Sequence, residues 1–259
     1  MPRYFLEICF NGKRYHGWQS QTNAISVQQV VQHALQTLTG ENVSTTGCCR
    51  TDTGVHALQF FVHVDLSNPI SQPEKFVFSL NGILPEDIAV YDLYPVEKDA
   101  HARFDAIRRT YCYFACRHKN PFIKDRAAAF YFDLDVERIQ ECCSRLMSHE
   151  DFSAFARKGS DDNTRCQIYQ AHWQMHEGLH CFTITANRFL RGMVRAITGT
   201  LVKAGKGLIT PDDFENIIRQ GNRQQAGASV PPHGLYLVAV EYPYLQILRP
   251  VCFPFSSGN

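Results

Sequence analysis

Thr46-Gly47-Cys48-Cys49-Arg50-Thr51-Asp52-Thr53-Gly54-Val55-His56 is a polar stretch with two glycines, set between two segments of strand character. The pattern predicts a loop, where binding and catalytic side chains are often placed. Asp52 is its one carboxylate. Read alone, Asp-x-Gly is first a turn former. Aspartate bonds the backbone two residues on, and glycine accepts positive φ at no steric cost. Arg50, by the same local reading, could be no more than half of a surface ion pair.

Beyond it, Leu58 to Leu66 alternates, with Phe60, Val62, Val64 and Leu66 on one face of a strand. Tyr4 to Phe10 also reads as a strand. Ser26 to Leu38 reads as a helix: Ser26 and Gln29 have capping-box spacing, and Val27, Val30, Val31, Ala34, Leu35 and Leu38 form one apolar stripe. A helix over Glu74 to Leu80 should stop at Asn81-Gly82, before a strand over Ile88 to Val96. Arg109 to Cys116 alternates again, with Arg109, Tyr111, Tyr113 and Ala115 sharing a face.

Later come a helix over Val136 to Met147 behind Asp135, a hairpin around Glu177-Gly178, helices over Phe189 to Ala204 and Pro211 to Arg219, and a strand over Leu235 to Tyr242. Helices and strands mix in both halves, often with consecutive strands. The expected class is α+β with a mixed, mostly antiparallel sheet. A boundary near residue 106 gives halves 1–106 and 107–259.

The 259 residues suffice for one large domain or two smaller ones. No apolar run approaches the roughly 20 residues that span a bilayer, so no membrane association is expected. Met1 to Phe10 carries Arg3 and Glu7 and lacks the long apolar core of a secretory leader. The ten cysteines include no Cys-x-x-Cys, which points to free thiols in a reducing cytoplasm and to no metal site. Gly199 to Lys206 is a poor phosphate loop: five residues separate its glycines, and no Ser or Thr follows the lysine.

The net charge of +1 gives no bulk signal for nucleic acid, but charge is unevenly placed. Ala186 to Leu208 holds five Lys/Arg and no acid. Arg188, Arg191 and Arg195 recur at helical spacing, a ridge suited to a phosphate backbone or to plain solvation.

The opening stretch resembles the Gly-Arg-Thr-Asp-Ala-Gly-Val-His motif of the TruA-type tRNA pseudouridine synthases. Further landmarks follow in family order. Phe10-Asn11-Gly12-Lys13-Arg14-Tyr15-His16-Gly17-Trp18-Gln19-Ser20-Gln21 is similar to the family's opening. Leu84-Pro85-Glu86-Asp87-Ile88, His101-Ala102-Arg103-Phe104-Asp105-Ala106 and Arg109-Thr110-Tyr111-Cys112-Tyr113 come next. Asp151-Phe152-Ser153-Ala154-Phe155, Met193-Val194-Arg195 and Gly234-Leu235-Tyr236-Leu237 complete a match from about residue 4 to 242. Cys49, Thr53 and Asn11 depart from the family's Gly, Ala and Asp, and none of these changes removes a reacting group.

The resemblance implies the pseudouridine synthase fold: two similar α/β-sandwich-like domains with a catalytic cleft between them. It implies isomerisation of uridine in the anticodon stem-loop of tRNA, at positions 38 to 40, by a cytoplasmic homodimer with no cofactor. It gives Asp52 the role of nucleophile and Arg195 that of its basic partner. Tyr111 would stack on the uracil, and Arg50 would fill the gap left by the displaced base. Arg188, Arg191, Tyr15, His16 and Trp18 are candidate RNA contacts, and for Tyr15, His16 and Trp18 plain packing is an equal alternative. Two competitors are a tRNA-binding or folding protein without catalysis and a carboxylate-nucleophile glycosidase. The second needs another carboxylate in the site, for which Asp105 is the candidate.

Overall fold

The computed structural model describes residues 1–157, 159, 162–176 and 178–247. Glu177 of the expected hairpin turn and residues 248–259 of the C-terminal tail lie outside the described residues. The chain groups into two units, Met1–Ile107 with Leu237–Asn259, and Arg108–Tyr236. The sequence division at residue 106 has no such return of the last segment to the first unit.

In the first unit β1 (Arg3–Phe10) lies between β3 (His56–Asp65) and β4 (Ile88–Val96), antiparallel to both. The short β2 (Thr45–Gly47) pairs with β3, and β9 (Leu235–Glu241) follows β3 in the sheet order. Helices α1 (Val27–Thr39) and α2 (Pro73–Ile83) belong to this unit. Ser26 caps α1 through the capping box that its spacing with Gln29 predicts. Helix α2 runs through Asn81-Gly82 instead of stopping there. Asn81 exchanges two hydrogen bonds with the backbone of Val90, both 2.7 Å. The helix ends where Leu84, just before Pro85, turns extended at ψ 147°.

Both faces of β1 and β3 are buried. Leu6, Ile8, Phe60 and Val62 are wholly inaccessible, and so are Phe5 and Phe61 on the opposite face. That opposite face also buries the charged Glu7. Gln59 donates to its Oε1 and the Tyr94 hydroxyl to its Oε2, each at 2.9 Å, while Gln59 Oε1 accepts from the Val240 N–H. Each carboxylate oxygen thus has a donor, which a buried charge requires.

His63 is buried on the same face, its Nδ1 accepting from the Ala102 N–H at 3.0 Å and its ring edge-on to His101. Burial, then the charges of His101 and Arg3, lower its pKa to about 4. The unfolded chain, with an ordinary pKa near 6.5, therefore binds more protons between these values. Stability from neutral His63 is complete above about pH 6.5 and is lost as pH falls towards 4, on the order of 2–3 kcal/mol. The melting midpoint should fall over this window, and His63→Gln should flatten the fall. Equal pH slopes for the two proteins would contradict the assignment.

In the second unit the strand order is β5 (Arg108–Cys116), β8 (Leu179–Ala186), β7 (Ile168–His176), all antiparallel, with β6 (Ala128–Ala129) parallel to β5. Helices α3 (Val136–Leu146), α4 (Met193–Gly205) and α5 (Pro211–Gln220) complete it. Arg145 of α3 joins Asp212 and Glu215 at the start of α5, at 2.7 and 2.8 Å. Ten residues of α4, from Met193 to Gly205, are buried, which makes it the central helix of the unit.

The start of α4 corrects one sequence expectation. The helix begins at Met193, behind Gly192 at φ 74°, and not at Phe189. Arg188 and Arg191 therefore precede it, and the three arginines do not form one helical ridge.

Candidate active site

The loop carrying Asp52 joins β2 to β3. Its tip is a turn in which the Val55 N–H donates to the Asp52 carbonyl at 3.2 Å, with Gly54 at φ 77°. Asp52 is half-buried and Arg50 is exposed. Cys48 is buried, and Cys49 beside it half-buried. The nine described cysteines are all free.

Segment 11–18 supports this loop from below. Tyr15 offers its carbonyl to the Gly54 N–H at 3.2 Å, and the Gly12 N–H donates to His56 Nδ1 at 3.1 Å. Two glycines permit the approach. A Cβ on Gly12 would lie 1.9 Å from the Val55 carbonyl oxygen. One on Gly17 would lie 2.3 Å from that of Thr51, at a positive φ of 87°. Behind the loop, Trp18 packs on Phe60 with ring centroids 4.5 Å apart, and Gly47 makes room for both.

The rings of Tyr15 and Trp18 are therefore interior, 5% and 3% exposed, and of the three aromatic candidates only His16 is at the surface. The Tyr15 hydroxyl donates to Asp87 Oδ1 at 2.5 Å. The Asp105 carboxylate accepts from the His101 N–H and the Tyr244 hydroxyl, each at 2.7 Å. Burial raises its pKa, but these two donors together with the neighbouring histidines hold it below the usual carboxylate value.

In the second unit Tyr111 sits mid-strand in β5, opposite Ile184, and is 7% exposed. Phe189 meets its ring edge to face at 5.2 Å, a contact that fixes the ring plane. Arg195, in the first turns of α4, donates from Nε to the Val230 carbonyl at 2.8 Å, and its own carbonyl accepts from the Val230 N–H. That pair orients the planar guanidinium. Arg188 is half-buried, with Nη1 on the Asn163 carbonyl at 3.3 Å, and Arg191 is exposed. Among the described residues no group of three or more His, Cys, Asp or Glu could hold a metal. No helix there is long and apolar enough to cross a membrane.

His56 and Asp87, which bond segment 11–18 in the first unit, were missed, and so was Phe189 against Tyr111 in the second. The pair of glycines flanking Tyr15, Gly12 and Gly17, was the available signal that another backbone comes close.

A family model described as tRNA pseudouridine synthase matches residues 143–243. The tRNA pseudouridine synthase A of Porphyromonas gingivalis is 44% identical over 249 residues, covering 94% of this chain and 98% of that protein. That of Parabacteroides distasonis is 44% identical over 244 residues, covering 94% and 97%. The chain belongs to the tRNA pseudouridine synthase A family. The Thermoanaerobacter pseudethanolicus protein of that name is 37% identical over 245 residues and is covered in full. Coverage at this level includes both units, hence the Asp52 loop, β5 and the start of α4.

Proposed function

We propose that this protein isomerises uridine to pseudouridine in the anticodon stem-loop of tRNA, at positions 38 to 40, with Asp52 as the nucleophile. The observation that carries the reading is the end-to-end relation to tRNA pseudouridine synthases A, at 44% identity over 94% of the chain. The support for Asp52 in particular is a half-buried carboxylate on a turn held by backbone hydrogen bonds.

The reaction breaks the N1–C1′ bond, turns the uracil and forms a C5–C1′ bond. C5 loses a proton and N1 gains one, so substrate and product have the same formula and no redox partner enters. An aspartate carboxylate is ionised at neutral pH and can hold the substrate covalently while the base reorients. In this reading Arg195 is the basic partner of that carboxylate, a task for which a guanidinium with two parallel donors is suited. Tyr111 stacks on the uracil, with Phe189 steadying its ring. Arg50, exposed beside the nucleophile, takes the place of the displaced base in the stem. His16, Arg188 and Arg191 contact the RNA. The protein works in the cytoplasm as a homodimer, without cofactor or metal.

The test is to incubate purified protein with unmodified tRNA transcripts, add no cofactor, and map pseudouridine. Product confined to positions 38 to 40 is expected. Product elsewhere overturns the site assignment. Binding of several tRNAs without product overturns the catalytic reading.

A further inference from the structure

We infer that Tyr15 and Asp87 are positioning residues for the nucleophile, acting through the polypeptide segment beneath the Asp52 loop. The inference rests on Asp52 being the nucleophile.

Asp87 is fixed at the entrance to β4. Its carbonyl accepts from the Asn11 N–H at 2.9 Å, and the Ile88 N–H closes a turn onto the Pro85 carbonyl. Its carboxylate is only 10% exposed. One oxygen takes the Tyr15 hydroxyl at 2.5 Å, and the other faces the Arg14 guanidinium at 3.5 Å. Tyr15 is thus held at its far end by a short, charge-assisted bond. Burial, and then that bond, push the phenol pKa well above its ordinary value, so the hydroxyl stays a donor wherever the enzyme works.

The near end of Tyr15 meets the catalytic loop. Its carbonyl accepts from the N–H of Gly54, two residues after Asp52 and inside the Asp52–Val55 turn. Gly12 and Gly17, on either side of Tyr15, are the points where the two backbones nearly touch. A shift of Tyr15 therefore has no slack in which to dissipate and passes to the turn that carries Asp52.

Packing alone does not call for this arrangement. A buried ring is satisfied by phenylalanine, whereas a carboxylate that is nine-tenths buried carries a desolvation cost. What the hydroxyl and carboxylate add is direction. They set the height and angle of the carbonyl on which the nucleophile turn rests.

Tyr15→Phe removes that anchor and keeps the ring. Single-turnover pseudouridine formation at saturating enzyme should fall about ten- to a hundredfold, the scale expected for a sub-ångström misplacement of a reacting group. tRNA affinity should stay within about twofold, because the Tyr15 ring is buried and its hydroxyl faces Asp87 instead of solvent. Asp87→Asn keeps an acceptor on Tyr15 and should lose less rate than Asp87→Ala. It also serves as the second variant if Tyr15→Phe folds poorly. A Tyr15→Phe rate within twofold of wild type overturns the inference. So does a loss that vanishes once rates are referred to folded protein, or one that appears only in tRNA affinity. Absence of product from the wild type is a separate result, which removes the catalytic reading itself.

Discussion

Asp52→Asn is expected to lower pseudouridine formation by at least about a thousandfold, the scale seen when a covalent nucleophile is removed. Asparagine has nearly the same shape, so the comparison isolates the charge and the attacking lone pairs. The turn around it uses main-chain groups, the Val55 N–H on the residue 52 carbonyl and the Gly54 N–H on Tyr15, and both survive the change. The side chain is half-buried and nearly isosteric with asparagine, so the melting midpoint should move little and tRNA affinity should stay within about twofold. Asparagine can deamidate and regenerate a trace of aspartate, so Asp52→Ala should be assayed beside it. Equal product from wild type and both variants would take the nucleophile role from Asp52. Loss of product together with loss of tRNA binding would instead make Asp52 a binding residue.

The periodic elements were legible because their signals are local. Strand β4 has the bounds expected of it, Ile88 to Val96, and α1 starts at the capping box read from Ser26 and Gln29. Strands β2 and β6, of three and two residues, are too short to show a period. The start of α4 was misplaced because Phe189 to Gly192 carries helical spacing, while one left-handed glycine decides the matter. The return of β9 to the first unit is a tertiary fact with no local cue.

The site divides in the same way. Asp52 could be placed on a loop from the strands around it, and its importance came from the ordered landmarks of a family. From sequence, Tyr15 could contact RNA or simply pack, and it is buried. Its partner Asp87 is 72 residues away, and nothing between them marks the pair. What Gly12 and Gly17 do depends on a backbone some 40 positions further along the chain. Such contacts are written in close approach, and sequence records that only as the absence of a side chain.

Gly17→Ala puts this close approach to a quantitative test. Two costs add. The residue sits at φ 87°, where an alanine is strained by roughly 1–2 kcal/mol. The new methyl would also start 2.3 Å from the Thr51 carbonyl oxygen and 3.2 Å from the carbonyl carbon of Asp52. Both neighbours are main chain and cannot swing aside as a flexible side chain would, so the loop itself must move by about 1 Å. Stability should fall by about 2–4 kcal/mol in total, lowering the melting midpoint by roughly 5–10 °C for a chain of this length. A nucleophile displaced by about 1 Å should lose on the order of a hundredfold in rate per folded molecule. Gly40→Ala supplies the control, because Gly40 is also left-handed, at φ 72°, but its added methyl meets nothing within 4 Å. It should cost only the backbone strain and leave the rate per folded molecule unchanged. If both variants lose rate alike, the effect belongs to general destabilisation. If Gly17→Ala melts lower yet keeps its rate, the Asp52 loop does not need this floor, and segment 11–18 is only a support for the fold.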